Sequence, residues 1–321
     1  MIPREYVLGI DIGGTNTVFG LVDTQGELVG ESSIPTRGYD DVSDYVAAVS
    51  AAARKLAASQ SATLRGIGIG APNGNYYNGT IEFAPNLEWR GIIHLADLFS
   101  NAMSVPAALT NDANAAAIGE MLFGGAKGMR DFIVITLGTG LGSGIVSGGE
   151  LVYGHDGFAG EIGHTIVDPE GRDCGCGRRG CLETYASASG IKRTIFELLA
   201  KRITPSVLRS VPFDTLTAAM ISEAARNGDA IALEAFDWTG RILGIKLADS
   251  VAYTSPSTIF LFGGLANAGE LIFAPTRKSM EENMLQIFRN KVKLLPSGLL
   301  DKNVAVLGAA ALMWNEIGKR S

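Results

Sequence analysis

The chain is 321 residues long, 46% hydrophobic and 19% charged, which describes a folded protein with room for two domains and excludes a disordered one. Its net charge of −6 argues against nucleic acid as the main partner, because a surface that binds phosphate backbones is usually basic. No window reaches the roughly 18 uninterrupted apolar residues of a membrane helix. Met1-Ile2-Pro3-Arg4-Glu5 carries no export signal, so the cytoplasm is the expected compartment.

The pattern opens as a hairpin. A strand over 6–10 leads into Asp11-Ile12-Gly13-Gly14-Thr15-Asn16, and a second strand over 17–22 ends in the turn Asp23-Thr24-Gln25-Gly26. Alanine-rich periodicity predicts a helix over 40–60, and Gly66-Ile67-Gly68-Ile69-Gly70 a short buried strand. A strand over 107–109 hands over at Thr110-Asn111-Asp112 to a helix over 113–123. The first pattern then returns: a strand over 131–136, the turn Gly138-Thr139-Gly140, a strand over 143–146, a Gly148-Gly149 turn and a segment over 150–153. This repetition matches an internally duplicated nucleotide-binding architecture. Residues 182–249 read as mostly helical, 258–262 as a strong strand before Gly263-Gly264, 304–307 as a short segment, and 308–317 as a closing helix.

The 41 glycines concentrate directly after apolar runs, at 13–14, 138–144 and 263–264, unlike a linker in which Gly mixes with Ser or Pro. Each cluster is therefore expected to be a tight turn where backbone closely approaches a ligand. A Gly-Gly turn points N–H groups at phosphate oxygens without Cβ interference, and Asp11 at the end of the strand can hold magnesium through water. Neither turn is a Walker A loop, and neither is a Rossmann fingerprint, because a strand and not a helix follows. Asp112 reads either as a helix N-cap or as a general base at a strand-to-helix junction.

All three cysteines lie in Cys174-Gly175-Cys176-Gly177-Arg178-Arg179-Gly180-Cys181, with His164 upstream. Three thiolates and an imidazole complete a tetrahedral zinc site, and an odd, clustered set of cysteines is a poor disulfide framework. Such a site is expected to be structural, bracing Glu161 and Glu183 as directed hydrogen-bond acceptors, although surface solvation also explains both glutamates. His94 and His155 read as structural or exposed.

Taken together these motifs resemble the ROK family of repressors, open reading frames and kinases, almost end to end. The resemblance rests on Gly160-Glu161-Ile162-Gly163-His164 with the cysteine motif and Leu182-Glu183, on Asp11-Ile12-Gly13-Gly14-Thr15, on Asn111-Asp112-Ala113-Asn114, on Leu137-Gly138-Thr139-Gly140 and on Phe262-Gly263-Gly264. It implies the α/β actin-like ATPase (ribonuclease H-like) fold: two domains, each around a mixed five-stranded sheet, closing over a cleft. The domains are expected at 1–112 plus a returning C-terminal helix over about 305–321, and at 113–304 with the zinc motif.

By the same resemblance Asp112 is the catalytic base, and Asn86, Asn111, Asp112, Glu161, His164 and Glu183 are the sugar contacts. Asp11, Gly13, Gly14, Thr15, Asn16, Gly138, Thr139, Gly140, Gly263 and Gly264 meet MgATP. His164 would give one ring nitrogen to zinc and the other to sugar. The implied reaction is phosphorylation of a hexose at its 6-hydroxyl by ATP, glucose first, with N-acetylmannosamine, N-acetylglucosamine, fructose and allose as alternatives, in a homodimer. Where many relatives have Pro-Gly, this chain reads Pro72-Asn73-Gly74-Asn75, so Asn73 or Asn75 either adds a sugar hydrogen bond or serves the turn. A sugar-responsive repressor is the lesser reading: Asp11 sits too near the initiator for a preceding helix-turn-helix module.

Overall fold

The computed structural model describes residues 5–299 and 303–320; the export-signal reading of Met1 to Arg4 lies outside them. The first half runs β1 (Glu5–Ile12), β2 (Asn16–Val22), β3 (Leu28–Pro35), α1 (Val42–Ser59), β4 (Thr63–Gly70), β5 (Gly74–Asn75), β6 (Thr80–Glu82), β7 (Ile92–Ile93), α2 (Leu95–Met103), β8 (Ala107–Thr110) and α3 (Asp112–Phe123). There follow β9 (Phe132–Leu137), β10 (Leu141–Ser147), β11 (Glu150–Leu151), α4 (Ala188–Lys201), α5 (Ala218–Arg226), α6 (Ala230–Thr254), β12 (Thr258–Phe262), α7 (Glu270–Asn283), β13 (Lys293–Pro296) and α8 (Val304–Arg320).

The two five-stranded sheets have the same plan. One is ordered β3-β2-β1-β4-β8 and the other β11-β10-β9-β12-β13. In the first, β1, β2 and β3 are antiparallel while β1, β4 and β8 are parallel. In the second, β10 and β11 are antiparallel while β9, β12 and β13 are parallel. The duplication expected from the repeated glycine pattern is thus present as topology. A third sheet, β5-β6-β7, had no sequence signal, because its strands are only two or three residues long.

Strand β1 shows how the first sheet is packed. Its even positions, Tyr6, Leu8, Ile10 and Ile12, join a core with Tyr45, Val49 and Phe99 from α1 and α2. Its odd positions face α8, as the two-residue period of a strand requires. There the approach is so close that a Cβ on Gly68 would overlap the Ala309 carbonyl oxygen. Gly9, Gly66 and Gly68 inside β1 and β4 therefore admit α8.

The chain divides into two compact units: Met1–Met129 with Gly144–Gly160 and Ser297–Ser321, and Arg130–Ser143 with Glu161–Pro296. This differs from a boundary at 112/113, because α3 belongs with α8. Gly308 packs on the backbone of Ala115, and a Cβ on Gly119 would come within 3.1 Å of Gly308. The closing helix also starts earlier than expected. Residues 304–307 are its first turn, with the Asn303 side chain accepting from the Val306 N–H at 3.3 Å. A four-residue apolar run carries too little period to tell helix from strand. Among the described residues no helix is long and apolar enough to cross a membrane.

Candidate active site and metal centre

In the first unit the strand registers bring the chemistry together. Asp11 on β1 pairs with Gly70 on β4, and Gly70 pairs with Thr110 on β8, so all three end one row of the sheet. Asn111 and Asp112 follow at the carboxyl end of β8, where ligands of parallel α/β sheets bind. A Cβ on Gly70 would sit 3.9 Å from both Asp11 Oδ1 and the Asp112 Cα, which places the two aspartates on either side of this position. Of the two readings of Asp112, the cap goes to its neighbour: the Asn111 side chain accepts from the Asn114 N–H at 2.7 Å. The Asp112 carboxylate accepts from the Ala113 N–H at 2.8 Å.

The glycine turn after β1 is closed by a hydrogen bond from Gly13 N–H to the Asn16 carbonyl at 3.0 Å. Thr15 and Asn16 are exposed. A Cβ on Gly14 would lie 3.0 Å from the Asn86 carbonyl oxygen, which places Asn86 beside this turn with its own side chain exposed. Arg37 was not singled out from sequence. Its Nε–H donates to the Gly14 carbonyl at 2.8 Å, and a lone arginine in a polar loop gives no motif to find it by. Asn73 and Asn75 are committed to the turn: Asn73 donates to the Glu82 carbonyl, and Asn75 to Glu82 Oε1 and the Asp156 carbonyl. His94 and His155 are exposed.

Burial, with the Asp112 charge behind it, pushes the Asp11 carboxyl up to about 6, and desolvation by the surrounding chain raises Asp112 also, although its residue is exposed to solvent. Among the described residues neither carboxylate has a cationic partner. Two adjacent oxygen-only acids, Asp11 half-buried and Asp112 exposed, are a donor set that suits a hard divalent cation such as magnesium. The cost of ionising Asp11 also predicts a stability effect. Its folded pKa lies above the unfolded value of 3.8, so its contribution is fully present below about pH 4 and is lost as pH rises through about 6. Without magnesium, Asp11→Asn is expected to be more stable than the parent at pH 8 by about 2–3 kcal/mol, from a shift of roughly two units. Melting curves from pH 4 to 8 check this; a difference that does not change with pH would refute it.

In the second unit β12 pairs with β9 so that Phe262 stands beside Thr136, which sets the turns after these strands side by side. The Leu137 carbonyl accepts from the Leu265 N–H at 3.1 Å, and Gly263 takes a left-handed φ of 104°. Gly138-Thr139-Gly140 and Gly263-Gly264 are therefore neighbours, with open space where a Cβ on Gly138 or Gly264 would stand.

His164, Cys174, Cys176 and Cys181 come together with their ligand atoms all within 4.8 Å of one another. Cys176 and Cys181 sulfurs are 3.6 Å apart, and Cys174 Sγ is 3.8 Å from His164 Nδ1. A zinc tetrahedron with bonds of about 2.3 Å has sulfur–sulfur edges of about 3.8 Å, so the four residues fit the ion. All three cysteines are free thiols. Against the cost of burial, hydrogen bonds from Arg178 draw Cys176 down to about 6, whereas burial pushes Cys174 up to about 12. Three thiols this close ionise together only around a cation.

The other ring nitrogen of His164 lies 4.0 Å from Glu161 Oε2. Glu183 is only partly exposed and is no surface glutamate: its Oε2 accepts from the Leu141 N–H at 3.2 Å, and its Oε1 accepts from the Cys174 thiol at 3.3 Å. A Cβ on Gly140 would overlap the Glu183 carboxylate. Glu183 thus ties the metal cluster to the 138–140 turn.

Comparison with known proteins agrees with the topology. The ROK family profile matches residues 7–316. The glucokinase of Thermotoga maritima is 32% identical over 321 residues, 99% of this chain and 100% of that protein. A ROK family glucokinase from Streptomyces griseus, in complex with glucose and AMPPNP, is 35% identical and superposes with a TM-score of 0.80 over 96% of this chain and 98% of that one. A ROK family transcriptional regulator, homologous to the MLC protein of E. coli, is 27% identical with a TM-score of 0.86, over 97% of this chain and 78% of that one. With its duplicated sheets, its cysteine cluster and a family match over nearly its whole length, the chain belongs to the ROK family.

Proposed function

We propose that this protein is an ATP-dependent hexose kinase that phosphorylates the 6-hydroxyl of its sugar, with glucose as the first candidate. The observation that carries the reading is Asp112: an accessible carboxylate at the start of α3, relieved of capping by Asn111 and held beside the half-buried Asp11, with its pKa raised. Relatives that bear the name glucokinase over the full length support the same reading.

In the proposed reaction Asp112 accepts the proton of the sugar hydroxyl while that oxygen attacks the γ-phosphorus. The new O–P bond forms as the bond to the β–γ bridging oxygen breaks, and ADP leaves. Most of the acceleration in such a transfer comes from positioning and charge neutralisation. Asn86, Asn111, Glu161, His164 and Glu183 orient the sugar; each Glu183 oxygen keeps a second lone pair for a hydroxyl donor. The backbone amides of 13–16, 138–140 and 263–264 receive the nucleotide. Asp11 would hold magnesium through water, supplying positive charge at the phosphates. His164 and the three cysteines would hold a structural zinc that fixes the segment bearing Glu161 and Glu183. A cytoplasmic homodimer completes the proposal, twofold assembly being the commonest form for such enzymes.

The test is ADP release with MgATP over glucose, mannose, fructose, allose, N-acetylglucosamine and N-acetylmannosamine. A signal with one sugar identifies class and substrate together. Silence across the panel from folded, zinc-loaded protein refutes the kinase reading and favours a sugar-responsive regulator, the class that the MLC-like neighbour represents.

A further inference from the structure

Arg172 precedes the first cysteine by two residues and has no part in the chemistry described so far. Unlike Arg178 and Arg179 in the same loop, it is almost wholly enclosed, its side chain only 10% exposed. Its guanidinium is fully committed. Nε and Nη2 donate as a fork to the two oxygens of Glu197, each at 2.8 Å. Nη1 donates to the carbonyls of Thr184 at 2.6 Å and Gly190 at 3.1 Å, and Nη2 also to Thr194 Oγ1 at 3.0 Å. The group lies over the Tyr185 ring at 4.6 Å and the Trp238 ring at 5.1 Å. The backbone N–H of Arg172 donates to the Tyr185 hydroxyl at 3.1 Å.

These contacts tie one point of the metal loop to α4, to Trp238 on α6, and to Thr184 and Tyr185, the two residues that follow Glu183. Only a planar fork of five donors can meet a carboxylate, two carbonyls, a hydroxyl and two ring faces at once, and an ammonium cannot. The Glu183 carboxylate is held from its far end by the Leu141 N–H; the carbonyl of the next residue, Thr184, is held by Arg172. We infer that Arg172 is a positioning residue for sugar binding, setting the backbone of the Glu183 segment independently of the metal. The inference rests on the proposal that Glu183 meets the sugar.

The experiment compares Arg172→Ala, Arg172→Lys and Glu197→Gln with the parent, in zinc-loaded full-length protein. It reads zinc content, the KM of each substrate, kcat, and hydrogen exchange of amides 182–185. Expected for Arg172→Ala is a full complement of zinc, ATP KM and kcat within about twofold, and a sugar KM raised about tenfold, the scale set by losing hydrogen bonds to a charged group. Arg172→Lys is expected to restore this only in part, and amides 182–185 to exchange faster in both variants. A purely structural role would lower thermal stability and active fraction and leave the sugar KM alone, which would overturn the inference. Lost zinc would overturn its independence from the metal. Should Arg172→Ala fail to fold, Glu197→Gln removes the charge and one of the fork's two acceptor oxygens, and an unchanged sugar KM and unchanged exchange there overturn the inference too. Parent protein inactive on every sugar, yet with exchange accelerated in the variants, would strike the kinase reading and leave the positioning role standing.

Discussion

Asp112→Asn is expected to lower kcat by about 10²–10⁴-fold, the usual contribution of a positioned general base, while sugar affinity stays within a few-fold of the parent. Asparagine has the same shape and can still accept from the Ala113 N–H. What it lacks is the capacity to take a proton. Removing this negative charge also relieves Asp11, whose carboxyl is raised in part by Asp112. The variant should therefore fold at least as well as the parent, which separates loss of chemistry from loss of structure. Turnover assays beside calorimetric sugar titration check the split. Turnover within a few-fold of the parent would remove Asp112 from the mechanism.

Cys176→Ser is expected to release the metal and raise the sugar KM by about 10–100-fold, the range seen when a metal site's supporting interactions are cut, with the ATP KM moving much less. Cys176 is the better cysteine to change because it is exposed, whereas Cys174 and Cys181 are buried and would disturb packing as well. Loss of one thiolate leaves two neighbouring thiols and His164 without a fourth ligand, and the 174–181 loop without its centre. The effect should reach Glu183, which contacts Cys174, before it reaches the turn at 263–264. Metal analysis with paired substrate titrations checks the order. Unchanged zinc content, or an equal loss of affinity for both substrates, would count against a bracing role.

Whatever depends on residue type within a few positions could be read before folding. The cysteine spacing, the glycine turns after apolar runs and the Asn111-Asp112 junction all encode local requirements, so they fixed the class of chemistry and the duplicated plan. Short elements without a full period could not be read in this way. The strands β5 to β7 are two or three residues long, and 304–307 became helix because Asn303 caps it and α8 packs on the sheet.

Other assignments depended on partners distant in sequence. The cap fell to Asn111 and not to Asp112, and the Asp11–Asp112 pair exists because β1, β4 and β8 share a register. Asn75 was drawn into a hydrogen bond with the Asp156 carbonyl, and Arg172 acquired partners from 184 to 238. Sequence by itself determined which residues could hold metal, phosphate and proton, because that capacity resides in the side chain and the turn. Tertiary structure decided which of them are buried, paired or already committed, because burial and hydrogen-bond satisfaction are properties of what the rest of the chain places around each group.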